Sequence, residues 1–534
     1  MVLTRKELTI LLLTWIFATS LNIFKPFHID DAFHLEAAIY LSQNPLEPSD
    51  CLINWDQVPE PLLSFNQPPL FFYLLGLVGK VFSFSEVPLH LLISVFTFFA
   101  LYFFYLTARL LKKDDAIFLT LVLGLSPAFL VNQNIMVDIP LLSCILGFGF
   151  FQLSYLTEPH TKNLIWSGVF LGFALLIKFT VLPLLIVFVF APVIKRKFND
   201  LYVVSIPFLF LLLWSVWNLF EYGQIQLLTR SSGRDGLKGL PDNILNFVST
   251  LGAIAPFIII SAFASITRFK KRIIISIGVT IALICFFAAS IFDLISAELS
   301  KEVIRYFFLL AGLYAVIVSI RLVFISNTRL KPGLPEDQKK IFLFLWFSAI
   351  SLFIMLFAPF MATRHVLLVL PAWLLLLTSS SVKFHQSLKF VTVILTATIG
   401  LLLGLSDLRY ARFYKEQALQ IHQDYGEDNT LWSLGHWGWQ WYSQKNHFNV
   451  YHTCQAKVNI GDLIVFPAEV PKQQLCDGIK VNTIEKRWDK TDFFSWFSTR
   501  YEASFYQSGY KRPAWKIYKA PNDTIYIQRV ISIK

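Results

Sequence analysis

The sequence predicts an all-α polytopic membrane bundle of about thirteen transmembrane helices, followed by a small C-terminal α/β domain. Three observations carry that prediction. Of the 534 residues, 55% are hydrophobic and only 15% charged, against roughly 25% charged in soluble domains. Mainly apolar runs of about 17–25 residues, the length that crosses a hydrocarbon core, recur from Leu8 to Leu405. Beyond Asp407 the apolar content falls, and short alternating runs appear between Gly, Asn, Asp and Lys, the pattern of strands and turns.

The predicted spans are 8–24, 85–110, 115–131, 136–156, 163–177, 179–194, 201–221, 244–266, 273–293, 303–324, 340–360, 364–380 and 387–405. The stretch from Pro69 to Phe82 is apolar but short, so it either lies along the interface or makes a further span. The first segment is charged like a signal peptide, but no small-x-small cleavage site precedes the loop that follows; it reads as an uncleaved anchor. With the amino terminus inside, one set of connections holds Arg109, Lys112, Lys113, Lys195–Lys197, Arg268–Arg272, Arg329, Lys331, Lys339, Lys340, Lys383 and Lys389. This is the positive-inside pattern of a cytoplasmic face. It accounts for the net charge of +11 without invoking nucleic acid. An odd number of spans then exports the tail. The expected organisation is a membrane domain over 1–405, with an outer loop at 25–69, and an extracytoplasmic domain over 406–534, in a bacterial inner (plasma) membrane. Of five cysteines, only Cys454 and Cys476 lie close together; in an oxidising compartment they either pair or remain two thiols.

The outer connections hold the groups that look chemical. Lys25-Pro-Phe-His-Ile-Asp30-Asp31-Ala-Phe-His34 places two adjacent carboxylates just after the first span, and ionisable groups beside the bilayer are costly unless solvated, paired or functional. Apolar positions at Phe33, Ala37, Tyr40 and Leu41 have the spacing of a short amphipathic helix. Asp30 and Asp31 sit at its amino end, where one acid would serve as a cap; two acids followed by His34 favour catalysis. A divalent cation on Asp30, Asp31 and His34 is the alternative, although oxygen-rich sites take more ligands. No cofactor is otherwise indicated.

Further along come Asn66-Gln67-Pro68-Pro69-Leu-Phe-Phe-Tyr73, Ser126-Pro127 through Asp138-Ile-Pro140, Gly168 through Gly172 to Lys178, and Met361-Ala-Thr-Arg364-His365. Together with Asp30-Asp31, these resemble the GT-C fold glycosyltransferases, specifically the protein O-mannosyltransferase and aminoarabinose-transferase group. The resemblance covers roughly residues 1–405. Many members of that group have Asp-Glu where this chain has Asp-Asp. The resemblance implies a hexosyl- or pentosyltransferase that moves a sugar from a polyprenyl-phosphate donor to a hydroxyl acceptor on a glycan, lipid or protein, with inversion. A carboxylate within hydrogen-bonding distance of the acceptor takes its proton, and Asp30 is the expected base. Asp31 and Asp138 are the other catalytic candidates, Asp138 either orienting the acceptor or simply ending a helix. The lipid phosphate leaves with negative charge and calls for cations. Arg364 is first among these, then Lys178, His365, Arg230, Arg234 and Lys238, each of which could instead snorkel at the interface. His34, Gln67 and Tyr73 are candidate sugar or acceptor contacts.

No Gly-x-Gly-x-x-Gly, P-loop or metal-gripping Asp-x-Asp occurs, which fits a lipid-linked donor better than a nucleotide sugar. A transporter would show internal repeats and midplane charges, and none is evident. A polysaccharide polymerase or ligase would use an Arg- and His-rich outer loop; this loop is acidic. In the tail, Leu463–Phe466 and Ile525–Ile531 read as strands. Trp437, Trp439 and Trp441 recur at period two, as if on one face of a strand, suited either to sugar stacking or to core packing.

Overall fold

A computed structural model describes residues 3–229, 239–265, 270–325, 334–378, 384–499 and 503–533. The chain is mostly helical. Among the described residues, seven helices are long and apolar enough to cross a membrane, or eight if one bent pair counts as a single span, so this is a multi-pass integral membrane protein. Leu70–Phe82, Phe179–Ile194 and Thr363–Leu377 are shorter apolar helices.

Local chemistry sets the breaks. The first helix, Arg5–Asn22, opens on a capping box: Thr4 N donates to Glu7 Oε2 at 2.7 Å, and Glu7 N to Thr4 Oγ1 at 3.3 Å. The segment predicted as one span at 244–266 bends by 85° between Leu240–Ile254 and Pro256–Phe263, because Pro256 lacks the N–H that would continue the ladder. Ser126-Pro127 likewise divides the predicted 115–131 span into Ala116–Gly124 and Pro127–Val131. Asp138–Thr157 is the central helix, 83% buried, whereas Phe198–Tyr222 and Ile274–Ile291 are 17% buried. The side chains of Leu209, Leu212, Leu213 and Phe220 on the former lie exposed, as on a lipid-facing helix.

In the outer loop, Asp31–Gln43 is helical. Its residues Phe33, Ala37 and Leu41 pack with Cys51, Ile53, Leu62 and Phe72, and Tyr40 lies against them. The helix is enclosed beyond that face as well, with Asp31, Ala32, His34, Leu35 and Ala38 also buried, so it is a packed internal helix and not the half-exposed amphipathic one that the spacing suggests. The short stretch after Pro69 is a helix, Leu70–Phe82, packed against Asp31–Gln43.

The expected division at 405/406 falls inside a single helix, Gln386–Tyr425, which carries the chain from the bundle into the C-terminal region. That region contains a five-stranded mixed sheet in the order Asn449–Val450, Leu431–Ser433, Leu463–Pro467, Thr524–Ile533, Ile479–Trp488. The first two junctions are parallel and the last two antiparallel, and both strands read from the sequence lie in it. Cys454 and Cys476 form a disulfide. The tryptophans at period two are not on a strand: Trp437–Lys445 is a helix. At about 100° per residue, Trp439 points away from the face that Trp437 and Trp441 share at i and i+4, so the three rings do not line one face.

Residues 503–515 fold back onto the bundle. Phe505 O accepts from Thr363 N at 3.1 Å and Thr363 Oγ1 at 2.9 Å, and Trp515 Nε1 donates to Ala253 O at 3.1 Å. A buried ionic cluster fastens this arrangement. Lys25 pairs with Asp407, their side chains 1% and 0% exposed; Tyr506 Oη donates to the same carboxylate at 2.7 Å and Thr499 Oγ1 at 3.2 Å. Lys25 Nζ also donates to Val131 O at 3.2 Å.

Removing one partner of such a pair strands the other charge in an apolar interior. Asp407→Asn should therefore cost about 3–5 kcal/mol, and Lys25→Met with Asp407→Leu should cost less than the single substitution. Thermal unfolding of the purified protein followed by tryptophan fluorescence checks this; a single variant as stable as wild type would exclude a structural role for the pair.

Candidate active site

Asp30 and Asp31 are adjacent yet face different surroundings. Ile29 holds φ +48°, a left-handed conformation that β-branched residues rarely adopt and that marks local strain. The helix starts immediately after it. Asp30 occupies the N-cap position but makes no side-chain cap hydrogen bond; its Oδ2 instead accepts from Arg364 Nη2 at 2.7 Å. The capping explanation for Asp30 thus gives way to an ion pair. Asp31 turns inward, fully buried, with Oδ2 accepting from His28 N at 2.7 Å. Burial lifts its carboxyl to about 8, against the pull of nearby Lys25.

From Arg364 the charges alternate. Arg364 Nε lies 3.6 Å from Asp138 Oδ2, and Lys178 Nζ donates to Asp138 Oδ1 at 3.0 Å. Asp138 starts the central helix; Arg364 lies on Thr363–Leu367, which Phe505 anchors. Lys178 follows Thr161–Leu175, where the next amide, Phe179 N, reaches Asn66 O at 3.4 Å and draws in the Asn66-Gln67 segment. Two carboxylates and two cations, with paired members as far apart in sequence as the 334 residues between Asp30 and Arg364, thus form one row. The Arg364 guanidinium also sits 5.7 Å over the Phe360 ring.

Asp30, Gln67, Lys178, Arg364 and His365 share a cavity of about 300 Å³, at the lower end of small-molecule sites, about 300–1,000 Å³. Arg364 Nη1, His365 Nδ1 and Gln67 Oε1 are buried with no hydrogen-bond partner among the described residues. A buried guanidinium N–H without an acceptor is costly, so Nη1 is a donor suited to an anion.

Other candidates lie elsewhere. His34 is buried against Phe33, Phe71 and Phe72, with Nδ1 2.7 Å from Asp30 O, and burial lowers its imidazole to about 4. Tyr73 donates to Pro45 O at 2.6 Å and lines a separate apolar groove with Trp214 and Trp217. Asp30, Asp31 and His34 therefore do not converge, and among the described residues no group of three or more His, Cys, Asp or Glu is placed to hold a metal ion. Arg230, Arg234 and Lys238 lie outside the described residues.

Sequence reasoning missed Trp55, Tyr506 and Gln507, which line the cavity; Tyr506 and Gln507 sit in a polar stretch with no periodic signal. It also missed Lys25 and His28 as functional groups, although both lie in the segment that drew attention to Asp30. His28 stacks edge-on against Tyr410 and Tyr506.

Residues 66–219, which include Gln67, Asp138 and Lys178, match the family model for dolichyl-phosphate-mannose-protein mannosyltransferase. This match bears out the resemblance to GT-C glycosyltransferases of the mannosyltransferase and aminoarabinose-transferase type. No curated protein matches the chain. Among solved structures the chain is similar to ArnT from Cupriavidus metallidurans, bound to undecaprenyl phosphate. That match has 15% identity and a TM-score of 0.41, covering 86% of this chain and 92% of that one. It is also similar to the archaeal oligosaccharyltransferase AglB from Archaeoglobus fulgidus, in complex with an inhibitory peptide and a dolichol-phosphate. There the identity is 12% and the TM-score 0.45, over 84% of this chain and 64% of that one. A third match is the S. cerevisiae protein O-mannosyltransferase Pmt1-Pmt2 complex bound to the sugar donor, with 14% identity, a TM-score of 0.32, and coverage of 48% and 37%.

One further carboxylate joins the site to the C-terminal region. Glu36, on the Asp30-bearing helix, accepts from Asn54 N at 2.9 Å and from Gln440 Nε2 on Trp437–Lys445. Burial raises its carboxyl to about 7, so the folded protein holds a proton there that the unfolded chain releases at about 4.5. Its contribution to stability is full below that lower value and is lost as pH rises through 7. Thermal midpoints measured from pH 5 to 8 should fall in wild type relative to Glu36→Gln. Parallel curves would show that Glu36 does not titrate in the fold.

Proposed function

We propose that this protein is an integral membrane glycosyltransferase that moves a sugar from a polyprenyl-phosphate donor to a hydroxyl acceptor, with inversion and with Asp30 as general base. The observation that carries the reading is the row Asp30–Arg364–Asp138–Lys178, of which Asp30, Arg364 and Lys178 line one cavity and Asp138 stands behind them, with Arg364 Nη1 buried and without an acceptor among the described residues. The acceptor oxygen attacks the anomeric carbon as the bond to the phosphate oxygen breaks; Asp30 takes the hydroxyl proton and the lipid phosphate leaves as an anion. Arg364 serves both ends. Its Nη1 meets the phosphate, while Nη2 holds the Asp30 carboxylate oriented for the acceptor. Asp138 fixes Arg364 and Lys178, keeping the row neutral overall, so that phosphate adds charge only where cations already stand.

The topology of this proposal has thirteen spans, the amino terminus inside, and the site and C-terminal region outside, in a bacterial inner membrane. Supporting it, two of the basic connections assigned to the cytoplasmic side share a carboxylate. Arg109 pairs with Glu7 at 3.5 Å, and Lys112 and Lys389 both pair with Asp115 at 2.6 Å. Arg230, Arg234 and Lys238 are proposed as additional phosphate contacts.

Purified protein incubated with radiolabelled polyprenyl-phosphate sugars should release or transfer the sugar. Asp30→Asn should lower kcat by about 10²–10⁴-fold, the usual range for a general base, and Arg364→Ala should also raise KM for the donor. Unchanged turnover in Asp30→Asn with every active donor would remove Asp30 from the role of base.

A further inference from the structure

The cavity has two unlike sides. Its charged side is formed by Asp30, Arg364 and Lys178 of the row just described; its other side is aromatic, built from Phe33, Trp55 and Phe65 of the outer loop and from Trp437 and Tyr506 of the C-terminal region. The loop aromatics brace one another: Phe33 meets Trp55 at 5.5 Å and Phe65 at 4.8 Å, both edge-on.

Trp437 is placed there by an unusual local geometry. It holds φ +63° and Gly435 φ +112°, so the chain turns twice through the left-handed region within three residues, once on a residue too bulky to favour it. A Cβ on Gly438 would come within 2.3 Å of Phe27 O. The helix Trp437–Lys445 therefore presses on the backbone just ahead of Asp30, with its first side chain at the cavity. The neighbouring tryptophans are used differently. Trp439 is wholly buried in the core, and Trp441 lies edge-on to Phe27 at 5.4 Å. Of the three rings that the sequence places at period two, Trp437 alone lines the cavity.

The outer-loop side is clasped by the same region. Thr453 N donates to Gln57 O at 3.0 Å, Gln474 N to Gln57 Oε1 at 2.7 Å, and Gln473 Nε2 to Asn54 Oδ1 at 3.2 Å. These contacts flank Trp55, whose ring lies 5.7 Å from His436. A pyranose or furanose ring presents C–H faces to aromatic rings and hydroxyl edges to amides; here Gln67 Oε1 is buried without a partner and Gln507 shares the wall.

We infer that Trp437 and Trp55 form the stacking seat for the sugar ring of the donor, so that the C-terminal region supplies sugar recognition to the membrane-embedded site. The inference rests on the lipid-linked-sugar reading above. The test is equilibrium binding to the full-length protein in detergent of two probes. One is bare polyprenyl phosphate; the other is polyprenyl phosphate carrying mannose, glucose or an aminopentose, whichever wild type binds most tightly. Trp437→Ala should weaken the sugar-bearing probe about tenfold, the upper range for a lost aromatic contact, and leave the bare phosphate within about twofold, while Trp437→Phe retains most of the difference. Equal loss for both probes, or none for either, overturns the seat. If Trp437→Ala abolishes all binding through misfolding, Trp55→Ala decides: selective loss of the sugar-bearing probe supports the seat, and anything else rejects it. Wild type that binds neither probe sinks the lipid-linked donor itself, whereas wild type that binds both without selectivity in the variants sinks the seat alone.

Discussion

The buried Lys25–Asp407 pair is the constraint on which the rest of the architecture depends. Neither charge tolerates the apolar interior alone, so the segment after the first helix, the helix Gln386–Tyr425 and the folded-back stretch that brings Tyr506 must assemble together or not at all. Tyr506 serves both parts of the structure, donating to Asp407 and lining the cavity. Docking of the C-terminal region and shaping of the site are therefore one event. The 0% exposure of Asp407 also means that water does not substitute for a missing partner.

The site repeats the same rule with a different outcome. In the Lys25 cluster the ionic groups are enclosed and mutually satisfied, as suits a fastening. Along Asp30, Arg364, Asp138 and Lys178 the pairing is incomplete: Asp30 keeps 20% of its side-chain surface open, and Arg364 retains one donor without an acceptor among the described residues. Similar residue types thus form a closed cluster in one place and an open one in the next, separated by how much of their hydrogen-bonding capacity the fold consumes.

The residues most legible in the sequence were those that are physically expensive. Asp30, Asp138, Lys178, Arg364 and His365 stand out because ionisable groups within apolar runs demand a reason; the fold brings four of them to one cavity and sets Asp138 behind, paired with Arg364 and Lys178. What the sequence did not reveal was which pairs with which, because partners such as Asp30 and Arg364 are joined only by tertiary packing. Asp31 looked equivalent to Asp30, yet one residue of helical rotation sends it into the interior. The helical period of Asp31–Gln43 was legible from spacing; the burial of its other face was not, because the elements that cover Asp31, His34, Leu35 and Ala38 arrive only by tertiary packing. The tryptophans near 437 were misassigned to a strand because period two is ambiguous in a short run, and two glycines then favour a turn into a helix. Tyr506 carried no signal, since a tyrosine in a polar stretch is unremarkable until the chain folds back.

The order of the cavity's parts along the chain has a consequence for biosynthesis. By the time residue 365 leaves the ribosome, every ionisable member of the charged row has been made, but the walls at Trp437 and Tyr506 have not. Domains fold largely as the chain emerges, so a nascent or prematurely released chain inserts its charged groups into the membrane without an enclosed chamber around them. The chamber is complete only once the segments carrying Trp437 and Tyr506 have docked, so a chain cut short of them would hold the charged row without its aromatic wall.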